Sequence, residues 1–352
     1  MTTSINRRRL LQLSGAAAGA LAMPNIVRAQ APTELVLGTN GGIEYETMYR
    51  LVYQRFEQEN NVTIVPVFGD GATLLARAVA EKDAPTMDVT ITYQGAWRVG
   101  QAEGVFQKVD YNNIPFIDDV YDSLIDPEGY APFSNFAAWG ISYNADVFGT
   151  PPTSLKSLWQ PEIASQLMVG GIYHSQIHLA AIAHAFTGDQ HNIDAAFEKF
   201  KELVPQIPAF YGLSSDAQSK FEQGIGNIAT WYSFTTQRVR AMGLPLSFQA
   251  PEEGSFLYPA SYQAITGTKK LDLVEKLLGA LYDPANAEGL AAENGYIPAN
   301  KKVKLSDEIQ KLVLTYDEVM AANNWDWDFI NANQGDWLNR WNAEIVPLLK
   351  TS

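Results

Sequence analysis

The chain has no cysteine among its 352 residues, which excludes disulfides, thiolate metal sites and thiol nucleophiles and leaves stability to the core. Positive charge is scarce: 25 Lys and Arg stand against 39 Asp and Glu, for a formal net charge of −14. A body this acidic argues against a nucleic-acid partner. Beyond the first thirty residues no stretch reaches the ~18 consecutive apolar residues a membrane span requires, so the body is expected to be soluble. Catalytic signatures are missing as well. There is no GxSxG elbow, Walker loop, HExxH pair or dinucleotide fingerprint, and Gly224-Ile225-Gly226 is a GxG without its third glycine. These absences argue against an enzyme and give no reason to expect a cofactor.

What is present begins with a targeting segment. Arg7, Arg8 and Arg9 precede a weakly apolar run from Leu10 to Ala22, the layout of an export signal. The order Asn6-Arg7-Arg8-Arg9-Leu10-Leu11-Gln12 follows the twin-arginine pattern at both arginines and in the apolar pair; an ordinary secretory signal is the alternative. Val27 and Ala29 stand at −3 and −1 of a cut before Gln30, so residues 1–29 are read as the signal peptide, handed to the twin-arginine translocase and leaving a periplasmic protein. The first thirty residues hold four arginines and no acid, so losing them takes the formal charge from −14 to −18.

The remaining chain exceeds one typical domain and suggests two lobes. Glu34 to Gly38 reads as a strand, Thr39-Asn40-Gly41-Gly42 as a turn, and Ile43 to Gln58 as a helix with Tyr45, Met48, Tyr49, Val52 and Phe56 on one face. A strand at Val62 to Val67, a helix at Ala72 to Lys82 and a strand at Met87 to Thr92 continue the alternation. Such alternation predicts an open α/β sheet with ligands beyond the carboxyl ends of its strands, which marks Thr39 to Gly42 and Thr92 to Gln94. After a proline-interrupted stretch, a second α/β set follows from a strand at Ala137 to Tyr143. It includes a strand at Asn227 to Trp231 and a helix at Thr235 to Met242, and leads to a strand at Ser261 to Thr266 and a helix at Leu271 to Tyr282 stopped by Asp283-Pro284. From Ser306 onward the chain reads as helical and rich in tryptophan.

Three ordered segments resemble the extracellular solute-binding proteins that include the spermidine/putrescine binders. They are Asp88 to Asp110 with Gly104-Val105-Phe106-Gln107-Lys108-Val109-Asp110, Trp139 to Phe148 followed by Ser154 to Glu162, and Asn294-Gly295-Tyr296-Ile297-Pro298-Ala299-Asn300. The resemblance implies a two-lobe α/β fold of the periplasmic-binding-protein type II kind, with the ligand trapped in a cleft by hinge closure. Residues 31–136 plus 260–305 are expected to form the first lobe, and 137–259 plus 306–352 the second. It also implies a non-catalytic, monomeric importer component that serves an ABC permease and ATPase at the inner membrane. Its cargo would be a small polar solute, polyamine-like or otherwise amine-containing. An opine-like conjugate and a thiamine-like cation are alternatives; ferric ion is disfavoured because an adjacent tyrosine pair is missing. A sensing module and a periplasmic enzyme exported folded are the alternative functions.

Carried over residue by residue, the polyamine binders' pocket falls on Thr39, Asn40 and Tyr45 loosely, and on Thr92, Tyr93, Trp231 and Tyr296 well. Their acidic contacts fall near Gly171 to Ser175 and on Ser261, where no acid stands; Asp70, Glu44 or Asp336 would have to compensate. Trp231 and Tyr232 end a strand and are read as cleft walls rather than core. Arg238, one turn beyond Phe234, is read as an exposed helix charge, with an anion clamp as the alternative. Tyr173 and Ser175 are further ligand candidates. His174 and His178 share the i, i+4 spacing of a zinc site but lack its acid. Asn333, in a run of amides that need partners if buried, completes the candidates.

Overall fold

The computed structural model describes residues 31–93, 96–171, 177–212, 214–311, 313–320 and 325–348. Its strands are β1 (Thr33–Thr39), β2 (Val62–Phe68), β3 (Val89–Tyr93), β4 (Phe133–Asn144), β5 (Leu167–Gly170), β6 (Ala209–Tyr211), β7 (Ile228–Tyr232), β8 (Leu246–Gln249), β9 (Phe256–Ala264) and β10 (Ile297–Pro298). They join in the order β2-β1-β3-β9-β4-β7-β5-β6, with β8 and β10 also paired to β4. β1 and β3 run parallel, as do β7, β5 and β6, whereas β9 and β4 pair antiparallel between these two groups.

β4 and β9 carry the chain from one core to the other. Phe136 and Ala138 pack in a first hydrophobic cluster with Leu35, Leu37, Val89, Ile91, Tyr262 and Leu278; Trp139 and Ile141 pack in a second with Val169, Phe197, Trp231 and Trp337. Successive strand residues face opposite ways, so the handover between Ala138 and Trp139 is also a change of face. Ser255 binds the Trp139 carbonyl through its hydroxyl, and the Trp325 indole donates to the Ser255 carbonyl at 2.8 Å. The crossing is thus tied on both sides.

Several expectations shift. β4 begins at Phe133 rather than Ala137, and β9 at Phe256 rather than Ser261; polar Ser134 and Asn135 hide the start of one, and Pro259, which cannot donate to a ladder, hides the start of the other. The helix foreseen at Ile43 to Gln58 is present but contains a π-helical turn at Tyr49–Tyr53. Leu314, Tyr316, Val319 and Met320, grouped with the second lobe from sequence, pack on the first cluster, and among the described residues of this C-terminal segment those that pack on the second start at Trp325. Tyr316 stacks on Tyr121 with ring centroids 3.6 Å apart, which pulls that segment over. Among the described residues no helix is long and apolar enough to cross a membrane.

Candidate functional site

The carboxyl ends of β1 and β3 meet at a glutamate. Asn40 directly follows β1, and Tyr93 is the last residue of β3. Gly42, with φ 67° and ψ −150°, takes a conformation open essentially to glycine alone and starts the helix Ile43–Met48. Glu44 lies in that helix's first turn, where a carboxylate is favoured. From the other side, Gly295 (φ 65°) ends the helix Pro284–Asn294 and turns the chain into Tyr296.

Three donors converge on Glu44. The Tyr296 hydroxyl donates to Oε1 at 2.7 Å, the Tyr93 hydroxyl to Oε1 at 3.1 Å, and Asn40 Nδ2 to Oε2 at 3.2 Å. Asn40 Nδ2 also lies 2.6 Å from the Tyr93 hydroxyl. Burial, then the Glu44 charge, pushes the Tyr296 phenol well above its ordinary range, so it stays a donor. Behind them Tyr53 and Tyr262 share a buried hydroxyl–hydroxyl bond of 2.9 Å. A hydroxyl that donates into a carboxylate becomes a stronger acceptor. The cluster therefore presents negative potential and aromatic faces, the chemistry that receives an ammonium.

The second lobe's chain reaches this cluster through the helix Ser233–Ala241, which follows β7. Arg238 Nη2 stands 3.7 Å from Glu44 Oε2, and the two side chains are only 16% and 14% exposed. The expected exposed helix charge is therefore a largely buried one. Phe234 lies 5.5 Å from the guanidinium and 6.0 Å from the Tyr296 ring, and Tyr232 stacks on Phe234 at 5.5 Å. The four-residue step from Phe234 to Arg238 puts them on one helix face, which was the available signal for this arginine. Phe68, more than half exposed, meets Tyr45 edge-on at 5.1 Å and packs against Gly41; it had not been singled out.

Of the sequence candidates, Asn40, Tyr93 and Tyr296 come together on Glu44, and Tyr232 joins them through Phe234. Thr39 is buried at the end of β1, where its carbonyl accepts from the Gly69 amide, and Thr92 is buried in β3. Tyr45 packs half-buried beside the first core. Trp231, read from sequence as a cleft wall, is fully buried and stacked on Phe221 at 5.8 Å in the second core. Ser261 is equally buried: its hydroxyl donates to the Ala131 carbonyl at 3.0 Å and accepts from Gln263 at 2.6 Å. Asn333 bonds back to the Phe329 carbonyl of its own helix at 2.8 Å, away from the cluster. Tyr173, His174 and Ser175 lie outside the described residues. His178 accepts the Trp139 indole proton at 2.8 Å within the second core. Asp70 caps the helix Gly71–Ala80, Asp336 is exposed on the helix Trp327–Glu344, and Glu44 is the one of the three acids that Asn40, Tyr93 and Tyr296 bond.

Comparison with known proteins identifies the family and the fold. Residues 84–333 match the family model described as bacterial extracellular solute-binding protein. The chain is 23% identical over 287 residues to the spermidine/putrescine-binding periplasmic protein of Salmonella typhimurium, covering 78% of this chain and 81% of that one. A crystal structure described as an ABC transporter from Clostridium perfringens is 25% identical, covers 88% of this chain and 99% of its own, and superposes with a TM-score of 0.72. A solute-binding protein structure from Bordetella parapertussis, 18% identical, covers 90% and 100% with a TM-score of 0.75. The two-lobe type II binding-protein fold follows, and the chain belongs to the bacterial extracellular solute-binding proteins.

Proposed function

We propose that this protein captures a small amine-containing organic solute around Glu44 by hinge closure and delivers it to an ABC permease and ATPase at the inner membrane. The observation that carries this reading is the convergence of Asn40, Tyr93 and Tyr296 on one carboxylate at the strand ends. A buried ammonium needs such a partner, since an uncompensated buried charge costs several kcal/mol. The spermidine/putrescine-binding relatives support an amine ligand, whereas the absence of an acid at Ser261, where the resemblance implies one, argues against a simple polyamine.

The lobe division is proposed as 31–138 plus 260–320 and 139–259 plus 325–348. Support comes from the two hydrophobic clusters, which exchange between Ala138 and Trp139 and again between Val319 and Ile330. The periplasmic export route is proposed to be the twin-arginine one, with cleavage after Ala29, and the mature protein a monomer. Replacing Arg7 and Arg8 together by lysine should leave uncleaved precursor inside the cell; normal export of that variant points to the ordinary secretory route.

The test of function is a thermal-shift and calorimetric screen of the mature protein against polyamines, amino acids, opines, thiamine, sugars and metal salts. Binding raises stability by RT ln(1 + [L]/Kd), about 2.7 kcal/mol at 100-fold saturation. An amine should give the largest shift. If only sugars or metals shift the protein, the amine reading is wrong.

A further inference from the structure

Arg238 has a feature that the amine reading does not use. Its Nε and Nη2 atoms are buried and make no hydrogen bond. These two nitrogens form the side edge of the guanidinium, the edge that holds a carboxylate through two parallel N–H···O bonds. Glu44 does not fill that role, because its nearest oxygen lies 3.7 Å from Nη2 and outside hydrogen-bond reach. Desolvated donors are costly to leave unpaired, and a guanidinium fixed over Phe234 at 5.5 Å cannot easily swing into solvent to find water. A second unpaired group sits at the same junction. Asn294, fully buried with both amide atoms unpartnered, precedes Gly295, whose backbone packs against Phe234 and Gln237 of the arginine's helix.

We infer that the Nε–Nη2 edge of Arg238 receives a ligand carboxylate while the Glu44 cluster receives its amine, so that the solute is an amino acid rather than a polyamine. This rests on the amine-binding reading and deepens it. Charge balance supports it: a dication placed beside Glu44 also meets Arg238, whereas a ligand bearing both signs satisfies each. The charged groups of the protein lie 3.7 Å apart, so amine and carboxylate on the ligand are separated by a short carbon chain.

The test compares the protein amino acids and the ω-amino acids of three to five carbons with diamines of matched length, by calorimetric titration of the wild type, Arg238→Met and Arg238→Lys. An amino acid should bind the wild type at least about tenfold tighter than any diamine. Arg238→Met should lower that affinity at least about tenfold and raise diamine affinity about threefold or more, because Glu44 is then unopposed. A purely structural role for Arg238 would weaken both classes together. If Arg238→Met does not fold, Arg238→Lys decides: it keeps the charge but loses the two-pronged edge, and the preference for the carboxylate should drop while diamine binding holds. A diamine that outcompetes every amino acid on the wild type, or a preference unchanged in the folded variant, overturns the inference and leaves the amine reading standing. Failure of both classes to bind removes the amine reading as well.

Discussion

Replacing Glu44 by glutamine tests the centre of the site with almost no change in shape. Tyr93 and Tyr296 both donate to Oε1, whereas Asn40 donates to Oε2 and Arg238 faces it. Glutamine keeps the Oε1 acceptor but turns Oε2 into an amino group that points at the Asn40 amide and the guanidinium. One hydrogen bond to a charged group is lost, roughly 1.5–3 kcal/mol, and a largely buried cation loses its counter-charge. The variant should therefore unfold about 2–4 kcal/mol more easily in urea. The amine of the solute loses its anionic partner too, a further ~2–4 kcal/mol, or about 30- to 1,000-fold in Kd. Calorimetric titration against the solute found by the screen measures the second effect, and denaturation without solute measures the first. Glu44→Asp, which keeps the charge one methylene short, should fall between. Binding by Glu44→Gln within about threefold of wild type refutes the assignment of Glu44 as the amine's partner, whatever happens to stability.

Other outcomes follow from the same geometry. Trp231→Ala should destabilise by about 3–5 kcal/mol through loss of a fully buried indole, while Trp231→Phe should bind solute almost unchanged; a large affinity loss in the folded Phe variant contradicts the core placement. Gly42→Ala meets no neighbouring atom but forces a side chain into φ 67°, ψ −150°, at about 1–3 kcal/mol, and an unchanged denaturation midpoint argues against that backbone. His191 bridges Asp189 and Asp326 at 3.0 and 3.1 Å. Its bonds to Asp326 and Asp189 raise its pKa above 6.5, so its stabilising contribution is fully present below that value and lost as pH rises through the raised one. The melting temperatures of wild type and His191→Gln should accordingly converge above pH 8 and separate near pH 6, and a constant gap across that range excludes the charge as its cause.

The alternation of strands and helices in the first hundred residues was legible because local pattern and tertiary role agree there. β1, β2 and β3 are short apolar runs, each followed in the sequence by polar or glycine residues. The crossing strands were half hidden. Ser134 in β4 and Pro259 in β9 obey demands set by neighbours far away in sequence: Ser134 bonds the Ala260 carbonyl at 3.4 Å, and Pro259 is aligned with Phe136. Asn40, Tyr93 and Tyr296 stood out as candidates since each sits at an element end, and the fold brings all three onto Glu44. Trp231 occupies a similar position yet lies fully within the second core, stacked on Phe221, and the next residue, Tyr232, is buried in that core too while its ring also stacks on Phe234. A strand end marks a neighbourhood, and what packs against each side chain there decides whether it can meet a ligand.

Charge shows the same limit from another direction. The chain's excess of acid is spread over its surface, where screening beyond about 10 Å makes it a poor guide to a ligand. More specific is one carboxylate and one guanidinium, from helices almost 200 residues apart in sequence, brought within 3.7 Å where neither is well solvated. Neither residue is unusual in its own helix: Glu44 sits in an ordinary acidic first turn, and Arg238 shares its last turn with the exposed Arg240. Only the meeting of the two lobes' chains gives them meaning. An acid placed at position 261 would bury a second negative charge beside hydroxyls and carbonyls already committed to holding β9 against 131–132. The carboxylate that stands among the candidate aromatics is Glu44, on the helix that follows β1, and there Arg238 stands opposite to balance it.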